Sequence, residues 1–493
     1  MPATAYIFRN EDLYRVAPVL VACGFGILIM LVDPFVSAGK KQRVGRLGVL
    51  GGLAALVSGG LSGQHPGSAY SGLLSVDPYS QFFVLGIFTF AVLAMLGSLD
   101  YLEREGLQHG EYYALVLFAS AGMAVMASAQ ELLTAFIGLE VSSISSYILA
   151  GFRRNAPKSN ESALKYFLLG SFATAFFLYG AAILFGATGS TRLPIIRIAV
   201  TGSHAVFSVF RTAPDLLALG AALVLVGLAF KIAAAPFQFW TPDVYEGAPT
   251  PVTGLFASGP KAAAFAVLVR IFYTAFGTAG ATWLWPVWGS AVLTMSLGNL
   301  AALVQSNVKR MLAYSSIAHA GYLLVAFAAN SALGVAALLF YVLTYGLAKL
   351  GAFTLLGHLG DSGERRLEIQ DLAGLGRTRP LAAACMSVYL FSLMGLPITA
   401  GFLGKLYIFE AALDSNLTGL AVLLAVNSVI SAYYYLRVVR VMYFDDPSAE
   451  WQPAPVPYAV GAVMLFTSFA TLFFGLFPDR LVNLAQLSAL SLR

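Results

Sequence analysis

Residues 225–237 read LVGLAFKIAAAPF, an apolar stretch that contains a lysine, Lys231, and a proline, Pro236. A charged side chain near the centre of a bilayer costs about 2.5–3.5 kcal/mol on insertion scales. Proline removes a helix hydrogen bond and clashes with the preceding turn, so a helix should break or kink here. Broken backbone at membrane depth is tolerated only where protein or a water-lined cavity satisfies it. The stretch therefore predicts a broken membrane helix that carries a functional amine.

The rest of the chain has the composition of a membrane protein. Of 493 residues, 58% are hydrophobic and only 11% are charged, and the mean hydropathy is +0.78. A soluble chain of this length would form about three domains, but apolar stretches of about 20 residues recur from end to end and indicate one helical bundle in contact with membrane lipids. The net charge of +5 does not indicate nucleic-acid binding, because no basic runs are interleaved with exposed aromatic residues.

The apolar stretches predict an all-α polytopic fold with about fourteen transmembrane helices. The predicted spans are 17–36, 44–62, 79–99, 111–129, 131–151, 160–187, 214–239, 250–276, 283–304, 309–330, 333–358, 380–411, 416–443 and 456–477. No cleavable signal peptide is expected. With the N-terminus outside, sixteen Lys and Arg residues fall on the inner side and seven on the outer side. The positive-inside rule therefore predicts that both termini face outward.

A second span also predicts a break. The 380–411 span is longer than one crossing needs, and it contains Gly395, Pro397 and Gly401 shortly before Lys405. The two predicted breaks are five spans apart. Because five is odd, two five-helix units would have opposite topology, which is the inverted repeat associated with transport sites near the midplane.

Three more charges lie inside predicted spans: Glu140 in FIGLEVSSI, Lys165 in ALKYFLLGSF and Lys261 in ASGPKAAAFAVLV. A Glu140–Lys165 pair would form a switch, since moving either partner changes the proton affinity of the other. The alternatives are a static ion pair for Glu140, a snorkelling side chain for Lys165 and a kink anchor for Lys261.

A histidine and a further lysine extend this set. His319 in SSIAHAGY has a side chain that titrates near physiological pH and could relay protons between lysines, with Lys349 in TYGLAKLGAF as a further relay. The ordinary alternative is a core histidine bonded to Ser315 or Ser316. The run 433–435, three tyrosines, is interpreted as an interfacial belt without chemistry.

The sequence does not predict a redox cofactor in this chain. Cys23 and Cys385 are far apart and lie in apolar segments, whereas iron–sulfur and zinc sites need closely spaced thiolates. No histidine pair suggests a bis-histidine haem, and no nucleotide fingerprint has a strand–turn–helix context.

Five motifs carry a family resemblance over residues 80–480. They are FIGLEVSSISSYIL (136–149), ESALKYFLLGSF (161–172), FKIAAAPFQFWTPDVYEGAPTPVT (230–253), KRMLAYSSIAHAGY (309–322) and GLPITAGFLGKLYIF (395–409). The chain resembles the antiporter-like membrane subunits of respiratory complex I, the proton-pumping NADH:quinone oxidoreductase. Within that family it is most similar to the subunit N branch: Lys405 replaces a glutamate of subunit M, and the long C-terminal extension of subunit L is not expected.

The resemblance implies fourteen helices in two inverted five-helix repeats, each with a broken helix. The implied segments are 1–110 (helices 1–3), 111–276 (first repeat), 277–443 (second repeat) and 444–493 (helix 14). The implied proton-translocation residues are Glu140 and Lys165, Lys231 and Lys261, His319, Lys349 and Lys405, where Lys349 departs from the histidine-containing pattern of subunits L and M.

The resemblance also implies the setting of the chain. The partners would be subunits M, K, J, A and H and the peripheral redox arm, which would hold the flavin, iron–sulfur clusters and quinone. The location would be a bacterial inner membrane. Two other functions stay open: a subunit of a cation/proton antiporter or membrane-bound hydrogenase, and an inert assembly scaffold in which the buried charges only join helices.

Overall fold

The computed structural model describes residues 10–201, 214–447 and 454–492, which are almost entirely helical. The helices are α1 (Asn10–Val32), α2 (Gln42–Ser62), α3 (Pro78–Arg104), α4 (Gly110–Ser128), α5 (Leu132–Ala150), α6 (Pro157–Thr188), α7 (Leu193–Val200), α8 (Pro214–Ile232), α9 (Thr241–Gly247), α10 (Thr250–Ala275), α11 (Gly280–Leu303), α12 (Val308–Ala328), α13 (Ala332–Leu359), α14 (Leu375–Thr378), α15 (Pro380–Met394), α16 (Ala400–Asp414), α17 (Thr418–Phe444), α18 (Tyr458–Leu476) and α19 (Asp479–Leu490). A short antiparallel hairpin joins β1 (Gly67–Ala69) to β2 (Leu74–Val76).

Thirteen helices in the described ranges are long and apolar enough to cross a membrane. The two shorter helices α15 and α16 follow one another and together make a fourteenth crossing. The predicted all-α fold with about fourteen crossings is therefore confirmed. The four segment boundaries drawn from the resemblance stay predictions.

Both predicted helix breaks are present. Helix α8 ends at Ile232, and the chain leaves the helical conformation at Ala233, whose φ is 61°. The predicted 214–239 span is therefore too long at its C-terminal side, because helical structure resumes only at α9. The second break separates α15 from α16 and contains Gly395 and Ile398, with φ of 91° and 81°. Each break lies in the fourth crossing of its set of five, α4–α10 and α11–α17.

The bundle has two distinct ends. One end, which we call the charged end, carries Lys309 at the start of α12 and the loop residue Glu364. The opposite end, which we call the hairpin end, carries β1 and β2 and the Asp77–Arg270 ion pair, with an Oδ2–Nη1 distance of 2.8 Å. Helix α1 begins and α18 ends at the hairpin end.

Three helices form the shielded centre of the bundle. Nearly every side chain of α10, α12 and α13 is buried by neighbouring helices. These helices carry Lys261, His319 and Lys349, which are at most 2% exposed. Because an ammonium or imidazole far from water must find its partners within the protein, the centre of the bundle has to be a polar network.

Candidate functional site

Helix α12 organises the centre of the network. Ser315 and Ser316 are consecutive on this helix, and each accepts a hydrogen bond from a different lysine. Lys261 of α10 donates to Ser316, with Nζ 2.7 Å from Oγ and 2.6 Å from the carbonyl oxygen. Lys349 of α13 donates to Ser315 Oγ at 2.8 Å and to the Leu312 carbonyl oxygen at 2.8 Å. One helix turn therefore joins two amines from two other helices.

Tyr345 lies between these two amines. Its hydroxyl is hydrogen-bonded to Ser316 Oγ at 2.7 Å. Its ring centroid lies 5.8 Å from Lys261 Nζ and 5.9 Å from Lys349 Nζ. The electron-rich face of an aromatic ring attracts cations at such distances, so Tyr345 can stabilise a charge on either side.

His319 is held by tyrosines and not by the serines that precede it. Its Nδ1 lies 2.6 Å from the Tyr341 hydroxyl, and its Nε2 lies 3.1 Å from the Tyr435 hydroxyl. The Tyr435 hydroxyl is also bonded to Ser315 Oγ. The direct bond to Ser315 or Ser316, which was the ordinary alternative, is therefore not formed, because the imidazole points towards α13 and α17.

The interpretation of the tyrosine run 433–435 as an interfacial belt is also wrong. Tyr434 and Tyr435 are at most 1% exposed, whereas Tyr433 is 65% exposed. Consecutive residues on a helix point about 100° apart, so three in a row cannot share one environment. Tyr434 donates to Asn299 Oδ1 at 2.9 Å, and Tyr435 joins the histidine network.

Lys231 lies at the end of α8, directly before the first break. Its Nζ is 2.8 Å from Ser143 Oγ and 3.1 Å from the Tyr147 hydroxyl, both on α5. Glu140, one turn earlier on α5, interacts with Lys231 through its charge, and its Oε1 is buried without a hydrogen-bond partner. The carboxylate is therefore a neighbouring charge and not a direct ligand of the amine.

A small cavity separates Lys231 from the α10 helix. It has a volume of about 20 Å³ and is lined by Lys231, Ser143, Tyr166 and Pro260, among others. That space is enough for one water molecule, which needs about 10–15 Å³ and polar partners. Pro260 and Ala264 line the cavity on its α10 side, whereas the Lys261 amine is bonded to Ser316 of α12.

Lys165 occupies a different place from the predicted one. Its Nζ is 2.7 Å from Asp243 Oδ2 and 2.5 Å from Glu161 Oε1, so the predicted Glu140–Lys165 pair is not formed. Helix α6 begins at Pro157, which leaves Lys165 about two turns from the charged end with a partly exposed side chain. It reaches sideways to α9, while Tyr166 points inward and stacks on Trp240 at 4.5 Å.

Lys405 closes the second break. Its Nζ donates to the carbonyl oxygens of Leu393 and Met394, both at 2.9 Å. Helix α15 ends at Met394, so these carbonyls have no helical donor of their own. The amine also lies 4.9 Å from the ring centroid of Tyr322.

The first break is closed from outside, by α11. Ser290 Oγ donates to the Ala235 carbonyl oxygen at 2.7 Å, and the Ala235 amide donates to Thr294 Oγ1 at 2.8 Å. Both backbone groups of Ala235 are thereby satisfied by side chains of α11.

A second acidic centre lies at the charged end. Glu364 accepts hydrogen bonds from Tyr101, Thr250 and Lys309, with the Lys309 Nζ at 2.9 Å. Arg153 Nη1 lies 3.3 Å from the same carboxylate. Burial raises the pKa of Glu364, but Lys309 and the hydrogen bonds outweigh it and hold the pKa below its usual value of 4.5.

Asp243 of α9 connects α6 and α12 at the same end. Its carboxylate binds Lys165 of α6 and, at 2.9 Å, Nη1 of Arg310 on α12. Burial raises the pKa of the Asp243 carboxyl, but Lys165 and Arg310 lower it by more. The pKa of Asp243 therefore lies below the usual 3.8. Asp243 lies within the motif at 230–253, but no role was predicted for it. No sequence signal marked Glu364.

Within the described ranges, no group of three or more His, Cys, Asp or Glu side chains is placed to hold a metal ion. The site consists of amines, hydroxyls, imidazole and carboxylates. Such groups can bind and release protons and can pass them along hydrogen bonds.

Known proteins share this fold and sequence. Residues 129–431 match the family described as NADH:quinone oxidoreductase/Mrp antiporter, TM. NADH-quinone oxidoreductase subunit N 1 of Solibacter usitatus is 44% identical over 487 residues, which cover 99% of each chain. A chain of respiratory complex I from Thermus thermophilus is 38% identical, with a TM-score of 0.79 over 94% of this chain and 98% of that one. A chain of the Mrp complex from Dietzia sp. has a TM-score of 0.85 over 97% of both chains but only 20% identity, so it shows the fold alone.

Proposed function

This chain belongs to the NADH:quinone oxidoreductase/Mrp antiporter membrane family, on its subunit N branch, and we propose that its buried lysines form a proton path. It is a membrane subunit of a proton-translocating NADH:quinone oxidoreductase. The resemblance inferred from the motifs is thereby confirmed. The identity to subunit N over nearly the whole chain favours this function over an antiporter or hydrogenase subunit.

One observation carries the proposal: the centre of the bundle holds titratable groups that are bonded to one another through hydroxyls. Lys261 and Lys349 share one turn of α12, and His319 follows on the same helix. Structural ion pairs would place opposite charges together, whereas the central groups are amines bonded to neutral acceptors. Such groups can lose a proton without leaving an unpaired counter-charge, which suits a conducting path.

The path begins at the charged end. Lys165 and Asp243 are partly exposed there and exchange protons with the aqueous phase. Lys231 receives the proton and passes it on to Lys261 of α10, the helix whose Pro260 and Ala264 line the cavity of about 20 Å³ beside Lys231. From there the path continues through Lys349 and His319 to Lys405, and release follows at the hairpin end.

Glu140 acts as the switch for the first half of the path. An ionised carboxylate near Lys231 favours the charged amine, and protonation of Glu140 removes that support. Lys231 would then release its proton towards Lys261. A charge change at Glu140 therefore sets the direction of the next step.

The energy for these steps comes from partner subunits. The flavin, iron–sulfur clusters and quinone belong to the peripheral arm and neighbouring subunits. Subunits M, K, J, A and H are the membrane partners. The charged end, which is rich in Lys and Arg, faces the cytoplasm of a bacterial cell.

The experiment is to tag the chain, extract it in mild detergent and assay the co-purified complex for NADH-driven quinone reduction. Activity together with flavin and iron–sulfur subunits supports the assembly in which the lysine path is proposed. A complete assembly without flavoprotein or NADH activity contradicts it and indicates an antiporter or hydrogenase subunit.

A further inference from the structure

We propose that the Tyr435 hydroxyl carries protons between Lys349 and His319, as a relay residue of the path. The inference rests on the proposed function and adds a step that passes through fixed hydroxyls. The bonded order is Lys349 Nζ, Ser315 Oγ, Tyr435 hydroxyl and His319 Nε2. Four groups on three different helices, α13, α12 and α17, thus form one unbroken line.

Of the two hydrogen-bond acceptors of Lys349, one can pass a proton on. Its two hydrogen-bond acceptors are the Leu312 carbonyl oxygen and Ser315 Oγ, each at 2.8 Å. A backbone carbonyl accepts a hydrogen bond but has no proton to pass on, whereas a hydroxyl both accepts and donates. The next group bonded to Ser315 is Tyr435. Transfer from Lys349 along these bonds therefore passes through both hydroxyls.

The step balances. The Lys349 ammonium gives a proton to Ser315 Oγ while the Ser315 proton moves to the Tyr435 oxygen and the Tyr435 proton moves to His319 Nε2. Three N–H or O–H bonds break and three form, leaving a neutral amine, two unchanged hydroxyls and an imidazolium. Nε2 accepts only in the tautomer with the proton on Nδ1, and Nδ1 has the Tyr341 hydroxyl 2.6 Å away to receive that hydrogen bond.

Burial favours the hydroxyl line over transfer through solvent. Lys349, Ser315 and Tyr435 are 0% exposed, and His319 is 1% exposed. Packing alone does not require the phenol oxygen, since a phenylalanine would fill the same space. The hydroxyl of Tyr435 is therefore the part of the side chain that serves the path.

The test compares three variants in the intact complex, reconstituted into liposomes. They are Tyr435→Phe, Ser315→Ala and the double variant, and the control is Tyr389→Phe. Tyr389 is a buried tyrosine of α15 whose hydroxyl bonds the Met464 carbonyl oxygen at 2.6 Å, outside the line. Proton uptake is followed with a pH-sensitive dye and divided by the rate of NADH oxidation. Subunit composition and NADH oxidation by an artificial acceptor report assembly.

We expect Tyr435→Phe and Ser315→Ala each to lower pumping by about a hundredfold, the lower edge of what one proton-transfer group contributes. The double variant should be no worse than either single one, because a line is lost once any link is cut. Tyr389→Phe should pump normally. Wild-type pumping by Tyr435→Phe, or single defects that multiply in the double variant, would overturn the relay.

Lys349→Met separates this inference from the proposed function. If Lys349→Met stops pumping while an assembled Tyr435→Phe complex pumps normally, only the relay fails. If both pump normally, the path through Lys349 fails as well. If the Tyr435→Phe complex does not assemble, Ser315→Ala, which is a smaller change, tests the relay by the same ratio of proton uptake to NADH oxidation.

Discussion

Lys165 and Asp243 form an ion pair between α6 and α9, with Nζ 2.7 Å from Oδ2. The same carboxylate binds Arg310 on α12 at 2.9 Å. Asp243 therefore joins a lysine of α6 to an arginine of α12 at the charged end. The acidic partner of Lys165 is this aspartate and not Glu140, so the first part of the path has a different charge arrangement from the one that the motifs suggested.

A double-mutant cycle tests this pairing. The decreases in the melting temperature of the complex caused by Lys165→Gln and by Asp243→Asn should be less than additive in the double variant, because both remove the same contact. The coupling should be less than about 1 kcal/mol, since Lys165 is 38% exposed and exposed pairs are screened. Lys165→Gln combined with Glu140→Gln should be additive. Coupling to Glu140 and not to Asp243 would contradict the structure.

The hydrogen bonds between α11 and the backbone of Ala235 at the first break give a second prediction. Ser290→Ala and Thr294→Ala each remove the partner of an Ala235 backbone group, which should cost about 1–3 kcal/mol each. Hydrogen–deuterium exchange across residues 233–238 should become faster in the double variant. Thr282→Ala, also on α11 but bonded only to the nearby Ala279 carbonyl oxygen, is the control. Unchanged exchange in the double variant would show that other contacts hold the break.

Glu364 gives a prediction for acid stability. Its pKa in the folded chain is below the usual 4.5, so the unfolded chain binds its proton more readily. The stabilisation by this group is therefore complete above about pH 5 and is lost as the pH falls through the folded pKa. Glu364→Gln should lower stability at pH 7 by about 3 kcal/mol, because Lys309 becomes a buried charge without its counter-charge.

The measurement is the melting temperature of the complex between pH 4 and pH 7. The wild type should lose stability towards the acid end, and Glu364→Gln should show a smaller loss. Glu368→Gln is the control: Glu368 precedes a short helix at the same end, and its Oε1 lies 3.4 Å from Asn307 Nδ2. A Glu364→Gln variant with the wild-type acid profile would contradict the assignment.

A fourth prediction concerns Gly395 at the second break. Its φ of 91° favours glycine, and an added Cβ would lie 3.2 Å from Lys405 Cδ. Gly395→Ala should therefore cost at least about 1–2 kcal/mol and displace the Lys405 amine from its carbonyls. Gly186→Ala, in α6 with open space around the added carbon, should be neutral or stabilising. Equal effects of the two changes on melting temperature would be evidence against a special role for Gly395.

The fold could be predicted from the sequence because its signals are local. Apolar length marks a crossing, and Pro236 or the glycines near Lys405 mark a break wherever the neighbouring helices lie. The hairpin, α7 and α19 were not predicted. They are short, and their stability depends on packing against distant residues, as in the bond from Ser488 to the Pro78 carbonyl oxygen.

The site could be predicted only as a set of buried groups. The partners of each group depend on helix rotation and on which helices are neighbours, and neither is local in sequence. The predicted partner of Lys165, Glu140, was therefore wrong. Tyr435 was predicted to lie in an interfacial belt with Tyr433, although the two side chains point in different directions. Glu364 lies in a loop of ordinary polar composition, and its burial arises from contacts with three distant segments.

The most direct test of the central claim is the ratio of protons pumped to NADH oxidised in a fully assembled Lys231→Ala complex. Lys231 lines the cavity that borders α5 and α10, and its amine has no substitute among the residues that line that cavity. We expect the ratio to fall well below that of the wild type while subunit composition stays the same. An unchanged ratio in a complete complex would contradict a proton path through the buried lysines.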